Sequence, residues 1–333
     1  MRAMVVQQPS AVEQLPLKLQ DVPLPVPGTG DVRIRVQVCG VCHTDLHIAE
    51  GEITPPRFPI IPGHQVVGIV DAIGPGTSEF REGDRVGVPW LYSTCGMCTY
   101  CRRGHENLCE TARFTGFDVN GGYAERIVAP SDSVYPIPRS FREENAAPLL
   151  CAGVIGYRSY RLSGIRPGER LALFGFGGSA HIVAQIARHF ECEVFVFTRS
   201  ESHQQLAKRL GASWVGSAES SPGELADSAI IFAPAGALVP RALTAVRKGG
   251  TVALAGITMS DIPAMPYQVL YDERILRSVA NSTRQDVHEF LELAAEIPVQ
   301  TTVKSFPLEQ GNEALLAVKT SKVDGAAVLR VSF

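Results

Sequence analysis

The chain is 333 residues long, which suggests two domains rather than one core. Hydrophobic residues make up 45% and charged residues 20%, as in folded soluble proteins, and the formal net charge of -3 gives no electrostatic case for nucleic acid or an anionic membrane. No stretch approaches the roughly 18 apolar residues of a membrane span and the opening MRAMVVQQPSAVEQLPLKL holds no signal-like apolar run, so the expectation is a cytoplasmic protein with reduced thiols.

The first part of the chain reads as β-rich. In DVRIRVQV, Val32, Ile34, Val36 and Val38 alternate with polar residues, the pattern of a half-buried strand. VVGIVDAIGPG (66–76) and DRVGVPWL (84–91) continue it, punctuated by Gly and Pro turns, as in a compact barrel or sandwich. Within this part, CGMCTYCRRGHENLC (95–109) holds Cys95, Cys98, Cys101 and Cys109, half of the eight cysteines. Two disulfides, an iron–sulfur cluster or a tetrahedral metal site would each use such a segment. A reducing compartment disfavours disulfides. Bacterial ferredoxins follow the third cysteine with x3-C-P, whereas here seven residues separate Cys101 from Cys109 and Glu110 comes next. Four thiolates without histidine favour structural zinc, and spacing alone leaves the iron alternative open.

After Cys151 the texture changes. LALFGFGG (171–178) is an apolar strand entering a Gly-rich turn, and SAHIVAQIARHF has helical spacing. EVFVFT (193–198) is a second buried strand, ESHQQLAKRLGA an amphipathic helix, and SAIIFA (228–233) and GGTVALAGI (249–257) further strands. PRALTAVRKGG between these last two predicts a helix ending at glycine. Strand alternating with helix predicts a doubly wound α/β domain with a parallel sheet, spanning about 152–280. The tail, DVHEFLELAAEI then KVDGAAVLRVSF, predicts a helix followed by mixed elements returning to the first domain.

Gly175, Gly177, Gly178, Ser179 and Ala180 lie in GFGGSA, which fits G-x-G-x-x-A between a strand and a helix. The first glycine makes the turn, the second admits a pyrophosphate, and the small last residue brings helix to strand, so dinucleotide binding is expected. At the end of the second strand stand Thr198, Arg199 and Ser200, with no carboxylate before Glu201. Two hydroxyls and a cation suit a 2′-phosphate, which favours NADP(H) over NAD(H).

Taken together, GVCHTDLH (40–47), PGHQVVG (62–68), the C-x2-C-x2-C-x7-C run, LLCAG and the Gly-rich turn resemble the zinc-dependent alcohol dehydrogenases of the medium-chain dehydrogenase/reductase superfamily. The likeness spans essentially the whole chain and is close to the bacterial primary-alcohol and cinnamyl-alcohol branches. It implies a β-rich GroES-like catalytic domain from residues 1–151 and 281–333, with a zinc lobe at 92–111, and a Rossmann domain at 152–280. It implies two Zn2+ per chain: a structural ion on Cys95, Cys98, Cys101 and Cys109, and a catalytic ion on Cys42, His64 and Cys151. By the same likeness Thr44 contacts the substrate oxygen and starts a proton relay, His47 ends it at solvent, and Asp45 orients His64. His43 stands where relatives place a basic residue near the cofactor pyrophosphate. Trp90 matches a wall of the substrate pocket, and Ile53 replaces a bulky tryptophan of small-alcohol specialists, leaving room for medium-chain or aromatic alcohols and aldehydes. A homodimer or homotetramer is implied.

Three positions depart from the family pattern. Gln65 replaces a glutamate after the ligand histidine and removes a negative charge beside the metal. Ala326 falls where many relatives carry an arginine, and Ile155 where a threonine is frequent. A non-catalytic NADP-binding sensor or structural homologue is the alternative that Gln65 keeps open. A zinc-free quinone reductase is disfavoured, since that class lacks the Cys42, His64 and Cys151 set. Cys39 and Cys192 have no motif partners and are expected as buried thiols.

Overall fold

Alternation in DVRIRVQVCGV produces one strand, Asp31–Val41, in which Val32, Ile34 and Val36 are fully buried while Arg33, Arg35 and Gln37 are partly exposed. The computed structural model describes residues 1–297, 299–323 and 325–331. These divide into two compact units, Met1–Cys151 with Asn281–Phe333, and Ala152–Ala280.

In the first unit, Asp31–Val41 is the central strand of a seven-stranded sheet. It pairs antiparallel with Val66–Ile73 and with Arg126–Pro130, and Arg33 and Arg126 both reach Asp71 on the neighbouring strand. Arg85–Val88 and Tyr135–Pro136 extend the sheet on one side. On the other side Ala326–Arg330 lies antiparallel to the central strand, with Ala327 opposite Val41 and Leu329 opposite Cys39. The strand that delivers Cys42 is thus held in register by the end of the chain. Val303–Pro307 closes that edge. Of KVDGAAVLRVSF, Asp324, Ser332 and Phe333 lie outside the described residues. The aliphatic core contains Val32, Ile34, Val66, Val86, Ile127 and Leu329, and Cys39 is fully buried within it, as expected.

The second unit carries six parallel strands. Their order across the sheet is Trp214–Gly216, Glu193–Phe197, Arg170–Phe174, Ala226–Ile231, Val246–Leu254 and Ile275–Ser278. The chain starts at the third position, winds outward one way, then returns to wind the other way. Ligands of such sheets bind beyond the carboxyl ends of the strands at that reversal, which here falls at Arg170–Phe174, the strand before the Gly-rich turn. Leu171, Ala172, Leu173, Val194 and Val196 are fully buried, as parallel strands covered on both faces require. Cys192 is 5% exposed, the buried thiol expected.

One element differs from expectation. The helix read in PRALTAVRKGG does not run to glycine: it spans Leu238–Ala245, and the strand Val246–Leu254 starts before Gly249 and Gly250. Val246 pairs with Ala226, and an irregularity between Ala226 and Ser228 absorbs the extra residues. The buried β-branched Val246 gains a strand partner, which outweighs the helix signal of the preceding residues. Among the described residues, no helix is long and apolar enough to cross a membrane.

Candidate active site

Strand Asp31–Val41 ends where helix His43–Glu50 begins, and Cys42 is the residue between them. It is extended, with φ -137°, and its Sγ accepts from the N–H of Thr44 at 3.4 Å as the helix cap. Asp45, fully buried in the first turn, returns the bond: its Oδ2 accepts from the Cys42 N–H at 3.0 Å. The other carboxylate oxygen accepts from the Gly63 N–H at 3.0 Å and lies 3.2 Å from His64 Nδ1. Asp45 is therefore both a capping residue and the partner of His64. A carboxylate only accepts, so Nδ1 bears the proton and Nε2 is left for another partner. Nε2 lies 3.3 Å from Cys42 Sγ. Cys151 closes the group at the end of the short helix Ala147–Leu150. The ligand atoms of Cys42, His64 and Cys151 all lie within 4.8 Å of one another.

The three side chains and Asp45 shift one another strongly in this buried setting. Cys42 is held well below the usual thiol value, first by a hydrogen bond with Cys151 and then by His64 against the effect of burial. Cys151 is pushed well above it by the same bond and by burial. For His64 burial works downward, yet Asp45 and then Cys42 raise it to about 10. Burial lifts the Asp45 carboxyl. Two sulfurs and one imidazole at these separations fit a tetrahedral ion, for which the ideal S–N edge is about 3.6 Å.

Thr44 is 8% exposed, on the turn beside the cysteine. His43 is exposed, and its ring lies 6.3 Å from that of His47. His47 is partly buried and its Nδ1 meets Glu52 Oε2 at 2.5 Å, a partner the sequence reading missed. Trp90 lies edge-on to His64 at 4.9 Å and stacks on Phe114 at 5.0 Å, which places it beside a candidate ligand. Ile53 is half-buried, and its N–H donates to the His47 carbonyl. Gln65 is 3% exposed and lies over Gly40: a Cβ added there would fall 2.5 Å from its Oε1.

The four-cysteine loop forms a second cluster. Cys95 and Cys101 sulfurs are 3.9 Å apart, Cys98 and Cys101 3.5 Å, and Cys109 and Cys95 3.6 Å. A zinc tetrathiolate has S–S edges of about 3.8 Å, whereas a disulfide needs about 2.05 Å. All four cysteines are free, so the disulfide reading does not hold. Backbone N–H groups of Cys95, Cys98 and Cys101 point at neighbouring sulfurs at 3.3–3.5 Å. Such donors stabilise thiolates: the N–H of Cys95 is the main cause holding Cys109 down at about 6, while burial first and then Cys98 lift Cys101 to about 11. Arg284 anchors this lobe, donating from its backbone to Glu106 at 2.8 Å and from its side chain to Thr94 and to Asp132. Its only sequence signal is the capping box Thr283-x-x-Asp286 that starts its helix.

In the second unit, Gly175 has φ 89° and would place a Cβ 2.9 Å from the Ala233 nitrogen, so glycine is required there. Gly177 differs: a Cβ on it would meet nothing within 4 Å. Protein packing does not explain that glycine, and an open cradle at the start of helix Gly178–His189 fits a pyrophosphate. Gly178 and Ser179 open that helix, and Ala180 is fully buried. Thr198 is buried at the end of its strand and Arg199 is exposed. Ser200 caps the next helix, its Oγ accepting from the His203 N–H at 3.4 Å. Glu219 lies near enough to feel Arg199 and Arg241, after its bond to Ser217. It is a carboxylate by this turn that the sequence reading missed.

A Cys–His–Cys cluster able to hold a metal and a doubly wound sheet with an open glycine cradle are the features of a nicotinamide-dependent oxidoreductase. Residues 28–139 match the alcohol dehydrogenase GroES-like domain, and residues 178–296 match the zinc-binding dehydrogenase domain. The chain is 44% identical to a probable alcohol dehydrogenase, AdhA, of Mycobacterium tuberculosis, with 99% of this chain and 97% of that one covered. It is 37% identical to an alcohol dehydrogenase of Geobacillus stearothermophilus, covering 97% and 99%. A crystal structure of an NAD-dependent alcohol dehydrogenase superposes with a TM-score of 0.91 at 26% identity over 100% of both chains. The chain belongs to the zinc-binding alcohol dehydrogenases of the medium-chain dehydrogenase/reductase superfamily. It is an alcohol dehydrogenase that works with a nicotinamide cofactor.

Proposed function

We propose that the chain catalyses zinc-dependent, reversible hydride transfer between a primary alcohol or aldehyde and NADP(H), with two Zn2+ per chain. The observation that carries this reading is the convergence of Cys42, His64 and Cys151, with Asp45 seated on Nδ1 of His64. Cys42, His64 and Cys151 would hold a zinc ion, which would supply Lewis acidity toward the substrate oxygen. Asp45 holds His64 in the tautomer whose Nε2 can face a metal. Thr44 accepts the hydroxyl proton of the alcohol on its oxygen as it gives up its own, and His47 passes one proton on to water. Trp90 and Ile53 bound the substrate, and a branched aliphatic at 53 leaves space for medium-chain or aromatic groups. Cys95, Cys98, Cys101 and Cys109 would hold the second ion, whose role in an all-sulfur site would be structural.

Gly175, Gly177, Gly178, Ser179 and Ala180 form the pyrophosphate cradle. Thr198, Arg199 and Ser200 select the 2′-phosphate, supported by the exposed guanidinium of Arg199. Ser200 can cap its helix with a lone pair and still donate its own proton to phosphate. A homodimer or homotetramer is the assembly that the family resemblance implies, and a cytoplasmic compartment that keeps thiols reduced suits both sulfur clusters.

The test is zinc content per chain together with NADPH and NADH oxidation on benzaldehyde and a medium-chain aldehyde. Two zinc ions and NADPH-driven turnover support both metal sites and the Arg199 assignment. NADH-driven turnover alone removes the phosphate pocket. One zinc without turnover removes the catalytic triad, and two zinc ions with neither cofactor oxidised favour the sensor.

A further inference from the structure

The His47–Glu52 pair belongs to no motif read from the sequence. Gly51, with φ 82°, ends helix His43–Glu50 and turns the chain back on itself. The N–H groups of Glu52 and Ile53 then both donate to the His47 carbonyl, at 2.9 and 3.3 Å. These bonds fix the loop against the last turn and bring Glu52 Oε2 to 2.5 Å from His47 Nδ1. The Glu52 side chain is 55% exposed while that of His47 is 13% exposed, so one carboxylate links a half-sequestered imidazole to bulk water. His43 is 6.3 Å from His47, ring to ring. From the elements packed on this helix come Glu13 and Lys319, and Lys319 binds Glu50 at 2.8 Å and Glu13 at 3.0 Å.

We propose that Glu52 is a positioning residue for the reaction, holding His47 in its Nδ1–H tautomer and supplying the counter-charge when His47 takes up a proton. The proposal rests on the relay role given to His47 above. Because a carboxylate only accepts, the short contact places the neutral ring's proton on Nδ1 and leaves Nε2 with its lone pair. In solution the neutral ring favours the opposite tautomer, in which Nε2 carries hydrogen and cannot accept. The proton released as alcohol becomes aldehyde binds Nε2, and the ring becomes a cation whose Nδ1–H bond to Glu52 is charge-assisted. The cation loses one proton to water, and the carboxylate returns the ring to the Nδ1–H form. One proton enters and one leaves, and Glu52 is unchanged.

The experiment compares wild type, Glu52→Ala and Glu52→Gln as zinc-loaded protein. Nitrogen-15 ring shifts of His47, recorded without cofactor, report its tautomer. Alcohol oxidation is measured in parallel, with and without added imidazole. The expected result is Nδ1–H in wild type and in Glu52→Gln, which keeps an acceptor, and Nε2–H in Glu52→Ala. Turnover of Glu52→Ala falls about tenfold with KM for alcohol little changed, added imidazole restores it, and Glu52→Gln lies between. Glu52 is exposed and its backbone bonds need no side chain, so the variants fold; thermal unfolding checks this. A wild-type ring that is Nε2–H, or a Glu52→Ala ring and turnover that match wild type, overturns the proposal. If wild type oxidises no alcohol, the functional reading fails while the tautomer still decides the pair.

Discussion

Asp45→Asn is the sharpest perturbation of the proposed metal triad, because it preserves volume and removes charge from a side chain with three donors on it. In the native protein Oδ2 accepts from Cys42, and Oδ1 from Gly63 and His64. Asparagine has one acceptor oxygen. If it faces Gly63 and His64, its NH2 meets the Cys42 N–H and the helix loses its capping box; if it faces Cys42, the NH2 meets Gly63 and His64. Either way a buried donor is orphaned and a charge-assisted bond becomes neutral, a loss of about 3 kcal/mol. For a unit of roughly 200 residues, this lowers its unfolding midpoint by about 6–12 °C. Removing the carboxylate behind a ligand histidine weakens metal binding by about 10–100-fold. Competition with a graded chelator, read by zinc content, should release one zinc ion from the variant well before wild type. The four-cysteine cluster, which Asp45 does not touch, is the internal control. If both ions leave together, or the variant holds zinc like wild type, Asp45 does not orient His64 and the triad is wrongly assembled.

Two further outcomes follow from the same geometry. Arg199→Ala should lower kcat/KM for NADPH by about tenfold or more while sparing NADH, since a charge-assisted bond to phosphate contributes about 1.5–3 kcal/mol; equal loss for both cofactors would mean that Arg199 does not select the 2′-phosphate. Zinc affinity of the four-cysteine site should fall with pH, because the ion must displace the thiol proton of Cys101, which is raised to about 11. Below about pH 6, Cys109 also holds a proton and the slope should steepen. Chelator competition between about pH 8 and pH 5.5 checks this, and a flat profile would contradict the sulfur assignment.

Much of the fold is legible because its strands follow simple periods. Alternation marks Asp31–Val41, where one face meets the core, and unbroken apolar runs mark Arg170–Phe174 and Glu193–Phe197, buried on both faces. What escapes is structure whose local signal is weak. Ile275–Ser278 is largely exposed, so no hydrophobic pattern betrays it, and only its pairing with Thr251–Leu254 makes it a strand. Arg2–Val6 and Leu17–Asp21 form a hairpin across a ten-residue connection that no tight-turn signal joins. The false helix end at Gly249 has the opposite cause: a strong local signal is overridden by the pairing of Val246.

The site divides along the same line. Four cysteines in one loop are legible because loop geometry alone must bring them together. Cys42, His64 and Cys151 are joined only by tertiary structure, and resemblance was needed to group them. Nothing in the residue types announces that Asp45 both caps a helix and holds His64, since either task alone would account for an aspartate in a first helical turn. Glu52 is harder still: an exposed glutamate after a glycine is ordinary until Gly51 folds it onto His47. In each case one side chain serves two elements at once, and a pattern read along the chain registers only the element that carries it. The residues that hold a ligand's partners in place are therefore found last, although their loss is predicted to cost metal affinity or turnover as directly as loss of a ligand.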